Sequence, residues 1–228
     1  MGRKIFSIYH CEVVLPGGMM NKLVETFLNT SNFISLALSD RIITYTKDFH
    51  KSSKLLNNFE SKVTYVYPPV NKPKIDKRIT KVIGEKIRTK NSFVIGIAAR
   101  LAAEKGIEYL FEALPQIMEN GKWKMENGEK KKIKIIVAGS KDPVGEENYK
   151  RKIMKLVDKY KDNVIFLGEL SQEEMGSFYS LIDVLVLPST NSTESFGMVQ
   201  VEAMMMGVPV VASDLPGVRV PILKTGMG

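Results

Sequence analysis

Short apolar runs alternate along the chain with longer stretches in which apolar residues recur at helical spacing. The runs predict strands over residues 4–10, 41–46, 62–68, 93–99, 133–139, 163–168, 184–189 and 209–213. Several are apolar almost throughout, as strands covered on both faces are. The helical stretches between them fall at residues 21–38, 47–59, 104–119, 146–161, 172–182 and 196–206. Strands that alternate with helices in this way predict an α/β protein built on a largely parallel sheet. Three prolines in "YPPVNKPK" (67–74) follow the third strand and mark a crossing from one sheet to another. Only three strands precede that point and five follow. The prediction is therefore a partial Rossmann-like domain over 1–70 and a second, fuller one over 71–228.

The chain has 228 residues, 44% of them hydrophobic and 25% charged, which excludes disordered and collagen-like classes. No run approaches the roughly 18 apolar residues of a membrane span, and the opening "MGRKIFSIYHCEVVLPGG" turns polar too soon for a secretory signal. With one cysteine, Cys11, there is no internal disulfide, and the expected location is the cytoplasm. Net charge is +8, and the stretch "KPKIDKRITKVIGEKIRTK" (72–90) holds eight Lys or Arg against Asp76 and Glu85. Such a stretch reads either as an arm for an anionic surface, phospholipid or nucleic acid, or as a solvated helix or linker. The second reading is favoured and no nucleic acid is expected, because no aromatic side chain interleaves the basic ones as a single-strand binder requires.

Open α/β sheets collect ligands at the carboxyl ends of their strands, where helix N-termini also point unpaired N–H groups. Two places fit. "GIAARLAAEKG" (96–106) begins at Gly96 in the fourth strand, places Arg100 at the sheet's carboxyl edge and predicts Lys105 in the first turn of the next helix. Two cations beside free amides suit a diphosphate; equally, Arg100 caps the sheet edge and Lys105 is a surface residue. In "PSTNSTESFGMVQVEAMMMGVPVVAS" (188–213) a helix is predicted from Phe196 with Gly197 in its first turn, so that the amides of Gly197, Met198 and Val199 face an anion. Glu194 precedes that helix and Glu202 lies in its second turn. Carboxylates suit sugar hydroxyls better than phosphate, although a helix-start acid and a solvated helix residue are the plainer readings. Val199, Ala203 and Met206 are expected to form the buried stripe. His10, which ends the first strand, reads on its own as a hydrogen-bonded structural histidine. Cys11 reads as a small buried residue and His50 as a surface one.

"ESFGMVQVE", with two glutamates separated by seven residues, followed by "AMMMGVPVVAS", closely resembles the signature of GT-B glycosyltransferases of family 4, the group 1 enzymes. "GIAARLAAEKGIEYLFEAL", "IVAG", "NVIFLGEL" and "DVLVLPS" fall in that family's order over 93–217, and "IYHCEVVLPGG" and "LSDRIITYTKDF" resemble the end of its N-terminal domain. The resemblance implies a GT-B C-terminal domain with part of an acceptor-side domain before it. It implies a retaining transferase that moves a hexosyl unit, mannose or glucose by default, from a UDP- or GDP-linked donor to an acceptor hydroxyl on a glycan or lipid-linked partner. No cofactor or metal is implied, and the chain has no Asp-x-Asp string. In that scheme Arg100 and Lys105 neutralise the leaving diphosphate and Glu194 holds the donor sugar. Gly96 and the amides of Phe196, Gly197, Met198 and Val199 contact the donor, Glu202 binds the ribose, Leu170 receives the base, and His10 faces donor and acceptor.

The family's opening glycine-rich loop would lie before Lys4, and its last helix beyond residue 228. No helix is predicted after the eighth strand. The expectation is a fragment truncated at both ends that keeps donor recognition and has lost most turnover. Peripheral contact with the inner face of an anionic membrane is the further partner considered. The competing classes are a non-catalytic module that grips a membrane or RNA through 72–90, and another GT-B enzyme such as a sugar-nucleotide epimerase or a phosphorylase.

Overall fold

The computed structural model describes residues 3–15, 17–87, 91–119 and 131–228. Arg88 and Lys90, part of the basic stretch, lie outside the described residues. The chain forms two compact units. One comprises residues up to Pro69 together with Asn191–Gly197 and Asp214–Lys224; the other comprises Val70–Thr190, Met198–Ser213 and Thr225–Gly228.

The first unit holds a parallel sheet of β1 (Phe6–Ile8), β2 (Arg41–Thr44) and β3 (Val63–Tyr65), in that order. α1 (Met19–Leu38) buries only Leu36 among its twenty residues. α2 (Lys47–Ser52) starts where the Thr46 side chain accepts the Phe49 N–H. The helix predicted to run to 59 stops at Ser53, whose hydroxyl accepts the Leu56 N–H and opens a separate 3₁₀ stretch, Leu56–Lys62. Tyr9, Leu36, Ile42, Phe49, Leu56 and Phe59 form the core. His50, expected at the surface, is buried, because α2 turns it inward where its Nδ1 meets the Tyr65 hydroxyl at 2.8 Å. Cys11 is half-buried.

Asp48, in the first turn of α2, receives the Arg219 guanidinium at 2.9 Å on each carboxylate oxygen and the Gly217 N–H at 2.8 Å. Those hydrogen bonds and the adjacent charge hold the Asp48 carboxyl below the usual carboxylate range, against a smaller opposing effect of burial. A depressed folded value means that the contribution is present above about pH 4 and is lost as pH falls through the carboxylate range. Thermal unfolding followed from neutral to acid pH is expected to show an acid-side fall in Tm that is smaller in Asp48→Asn.

The second unit is a five-stranded parallel sheet ordered β6-β5-β4-β7-β8. Its strands are β4 (Ser92–Ala98), β5 (Lys132–Ala138), β6 (Val164–Gly168), β7 (Val184–Leu187) and β8 (Val210–Ala212). This doubly wound order bears out the Rossmann-like parallel α/β fold. The core cluster joins β4, β5 and β6 to α4 (Ile107–Glu119) and α5 (Glu147–Lys159) through Ile97, Phe111, Ile135 and Ile153 among others. α6 (Gln172–Leu181) begins with a capping box in which the Ser171 hydroxyl takes the Glu174 N–H and the Glu174 carboxylate takes the Ser171 N–H. α7 is Met198–Met205.

Two further helices lie outside the predicted set. Part of the basic stretch is helical as α3 (Lys77–Ile87), which packs against α6. α8 (Val220–Thr225) follows β8, where no terminal helix was expected. Its first five residues are grouped with the first unit. The inward residues of α7 are Gln200, Ala203 and Met204, while Val199 is half-buried and Met206 lies beyond the helix end. Ala203 is thus buried as expected, while Gln200 and Met204 rather than Val199 and Met206 complete the buried face. Among the described residues no helix is long and apolar enough to cross a membrane.

Candidate functional site

β4 is the strand from which the second sheet runs in both directions, with β5 on one side and β7 on the other. Crossovers leave β4 and β7 for opposite faces of such a sheet, so a crevice opens at their carboxyl ends. The loop after β4 is fixed there by backbone contacts. Ala99 N–H bonds to Ala138 O and Leu101 N–H to Ser140 O, each at 2.9 Å. A side chain on Gly139 would come within 2.2 Å of the Ala99 carbonyl oxygen. On the other side the Thr190 N–H, just past β7, bonds to Glu104 O at 2.9 Å. Gly106 adopts φ +59°, and a Cβ there would lie 2.2 Å from Pro188 O. The stretch 100–106 is thus clamped at the switch point between β4 and β7.

Arg100 sits at the mouth of this crevice with its side chain about half exposed, and its guanidinium bonds to the Glu104 carboxylate at 2.7 Å. Lys105 ends a 3₁₀ turn, Ala103–Lys105, and so precedes α4 rather than lying in its first turn. The cause is Gly106, whose left-handed conformation separates the turn from the helix. Ser189, buried beside the end of β7, has a hydroxyl with no hydrogen-bond partner among the described residues.

Gly96 occupies the middle of β4, paired with Ile136 and Leu185. It is buried, and a Cβ there would lie 2.6 Å from Ile182 and 3.0 Å from Phe178. Helix packing accounts for this glycine, which lies inside the strand rather than at its carboxyl end. Glu202 accepts the Tyr179 hydroxyl at 2.7 Å. Tyr179 is fully buried, and burial followed by the neighbouring Glu202 carboxylate pushes its hydroxyl far above the usual tyrosine value. That neutral donor fixes one Glu202 oxygen, so the carboxylate is held rather than merely solvated. Met198 is half exposed at the start of α7 and Val199 is half-buried behind it. Leu170 lies just past β6 and borders an open trough shared with α3.

The other predicted residues belong to the first unit. His10 follows β1, is exposed, and hydrogen bonds through Nδ1 to the Tyr45 hydroxyl. The Ser195 hydroxyl donates to the His10 carbonyl, and Glu12 N–H bonds to Ser192 O at 3.2 Å. Phe196, buried, has its ring 5.9 Å from that of Tyr45 and 5.8 Å from that of Tyr67. Phe196 and Gly197 both precede α7, and Gly197 has φ +73°. Glu194 is half-buried, and its N–H bonds to Asn191 O at 3.2 Å. Among the described residues no group of three or more metal-ligating side chains occurs.

Within the second unit the fold therefore gathers Arg100 and Lys105 on one clamped loop and places Glu202 on α7, while Gly96 is withdrawn into the sheet. In the first unit His10 lies beside Ser195 and shares Tyr45 with Phe196. Sequence reasoning missed Glu104, Thr190 and Tyr179. Tyr179 left one signal: it sits in "GSFYSL", a helix buried nearly all round, where a hydroxyl must find a partner.

A family model described as glycosyl transferases, group 1, matches residues 78–226. An uncharacterized glycosyltransferase of Methanocaldococcus jannaschii is 29% identical over 219 residues, covering 92% of this chain and 51% of that protein. A D-inositol 3-phosphate glycosyltransferase of Corynebacterium efficiens is 28% identical over 166 residues, covering 72% and 35%. The chain thus spans about half, or less, of the length of these curated relatives. Among solved structures, Anabaena HepE in complex with UDP and glucose matches with a TM-score of 0.68 at 22% identity, covering 92% of this chain and 53% of that one. Sucrose-phosphate synthase of Thermosynechococcus elongatus matches at 0.71 and 22%, covering 95% and 52%. At such identities the likeness to solved structures is one of fold.

Proposed function

The chain belongs to the group 1 glycosyl transferases, and from that premise we propose that it is part of a family 4 retaining enzyme that moves a hexosyl unit from a UDP- or GDP-linked sugar to an acceptor hydroxyl. The observation that carries this reading is the loop 100–106, clamped at the switch point inside the matched stretch with its two cations. A nucleoside diphosphate leaves with negative charge that fixed cations stabilise, without a strong acid or a metal. Arg100 and Lys105 would supply that charge. The Glu202 oxygen opposite the one held by Tyr179 would accept ribose hydroxyls, Leu170 would border the base, and the Met198 and Val199 amides at the start of α7 would meet the phosphate. In the first unit, Glu194 and the backbone of Phe196 and Gly197 would hold the transferred sugar, and His10 would attend the reacting groups. Anabaena HepE has been solved with UDP and with UDP-glucose, which supports a sugar-nucleotide donor here.

The same reading assigns 1–70 to an acceptor-side domain and 71–228 to the donor domain. It includes a glycan or lipid-linked acceptor and a cytoplasmic location with peripheral contact to an anionic membrane. The family match does not favour a purely non-catalytic module. Titrating UDP-glucose and GDP-mannose calorimetrically against the 228-residue chain tests the assignment. Saturable binding of one donor is expected, weakened about tenfold in Glu202→Ala, since a hydrogen bond to a charged group contributes about 1.5–3 kcal/mol. Absence of binding to both donors, or equal affinity in the variant, would overturn it.

A further inference from the structure

α3 presents an outward face made almost entirely of cations. Lys77, Arg78, Lys81 and Lys86 are all exposed, and Glu85 is the one exposed acid of the helix. Val82, 56% exposed, stands one turn from both Arg78 and Lys86, and Ile75, 51% exposed, follows exposed Lys74. The rotation of the helix is fixed from the other side, where Ile83 and Ile87 are buried and Gly84 lies against Leu181. Asp76 offsets one charge of this face: its carboxylate takes the Arg78 N–H at 2.8 Å and that of Ile79 at 3.4 Å and also meets the Arg78 guanidinium, which still leaves the lysines in excess. Beside Val82 runs an open trough of about 550 Å³ whose walls include Ile79, Ile83 and, from edge strand β6, Ile165, Phe166 and Leu167.

α5 is also basic, but three of its five cations have local partners: Lys150 pairs with Asp142, Lys152 with Glu108, and Arg151 with the Asn148 side chain. On α3, Arg78 meets Asp76 at 3.4 Å, and among the described residues Lys77, Lys81 and Lys86 make no ion pair. Cations that surround exposed aliphatic side chains fit the headgroup layer of an anionic bilayer, which offers charge outside and an apolar boundary beneath. RNA fits less well, because this face has no aromatic side chain on which a base could stack.

We propose that the α3 face docks on a bilayer surface bearing anionic phospholipid, with Lys77, Arg78, Lys81 and Lys86 among the headgroups and Ile75 and Val82 at the apolar boundary. This gives the membrane contact named above its residues, and it does not rest on the donor chemistry. Co-sedimentation of the 228-residue chain with phosphatidylcholine vesicles, with and without phosphatidylserine, tests it. Binding is expected only with phosphatidylserine and is expected to weaken as salt rises. It should fall about tenfold or more in the double variant Lys77→Glu, Lys81→Glu. Val82→Ser should weaken the binding that persists at high salt. These side chains are exposed, and unchanged circular dichroism in both variants, with unchanged donor affinity in the double variant, would show that only the face was altered. Equal binding to both vesicle types, indifference to the double substitution, or salt-sensitive binding of RNA without vesicle binding would overturn the proposal.

Discussion

Arg100→Ala is expected to weaken binding of the sugar nucleotide to this chain by about 10–100-fold, the range that follows from losing one charge-assisted hydrogen bond to phosphate. Its side chain is about half exposed and stands at the crevice mouth, but the Glu104 carboxylate it pairs with is mostly buried, so Tm should also fall somewhat when that partner is removed. The Glu104 carboxylate 2.7 Å away uses part of the guanidinium fork and leaves other N–H donors for an incoming oxygen. Glu104→Gln, which keeps a hydrogen-bond acceptor while removing a negative charge, should therefore change affinity less than Arg100→Ala does. Arg100→Lys should recover only part, since a lysine cannot reproduce the planar fork. Calorimetric titration of the three variants decides the matter, and an Arg100→Ala affinity equal to that of the parent would remove Arg100 from the donor site.

Gly176→Ala is expected to destabilise the protein by about 2–4 kcal/mol, although alanine is the better helix former by about 1 kcal/mol. A Cβ at this position in α6 would lie 1.9 Å from the Lys74 carbonyl oxygen, and backbone cannot swing aside as a side-chain tip can. The next residue ties down the same approach. The Asp76 N–H donates to the Ser177 hydroxyl at 3.1 Å, and that hydroxyl donates to Asp76 O at 3.0 Å. Displacing the 74–76 segment would strain both bonds. Thermal unfolding should show Tm lower by roughly 5–15 °C for a domain of this size. A variant as stable as the parent would mean that helix propensity outweighs the close approach.

All eight strands were legible because a run such as "FVIGIAA" or "IKIIVAG" combines strand length with apolar character on both faces, and their crossovers constrain the order. For α3 the sequence left helix and linker open: Ile79, Ile83 and Ile87 recur at four-residue spacing, but such dense charge fits a wet linker as well. α8, six residues long, carries too little pattern to register. In the candidate site, "AARLAAEKG" placed Arg100 correctly at the sheet edge, because the end of an apolar strand can be read directly. Lys105 was placed inside a helix because the left-handed turn at Gly106 is set by the Pro188 carbonyl, which lies far along the chain. The packing around Gly96 was hidden for the same reason: the side chains that fill its space, Phe178 and Ile182, come from the distant α6 and the residue that caps it. His50 was misread because its burial depends on Tyr65, across the unit.

The central position of β4 bears on how this chain acquires its structure. β4 can pair with β5 after a single crossover, but its other neighbour, β7, enters only when Val184 reaches Ile95 and Leu185 reaches Gly96. Pairing of such high contact order pays a large loop-closure entropy before it gains contacts, so it should form late and slowly. On an emerging nascent chain the β4–β5–β6 half would fold first, with one flank of β4 bare until translation delivers its mate. That bare flank is the place where an arrested ribosome product would be prone to aggregate.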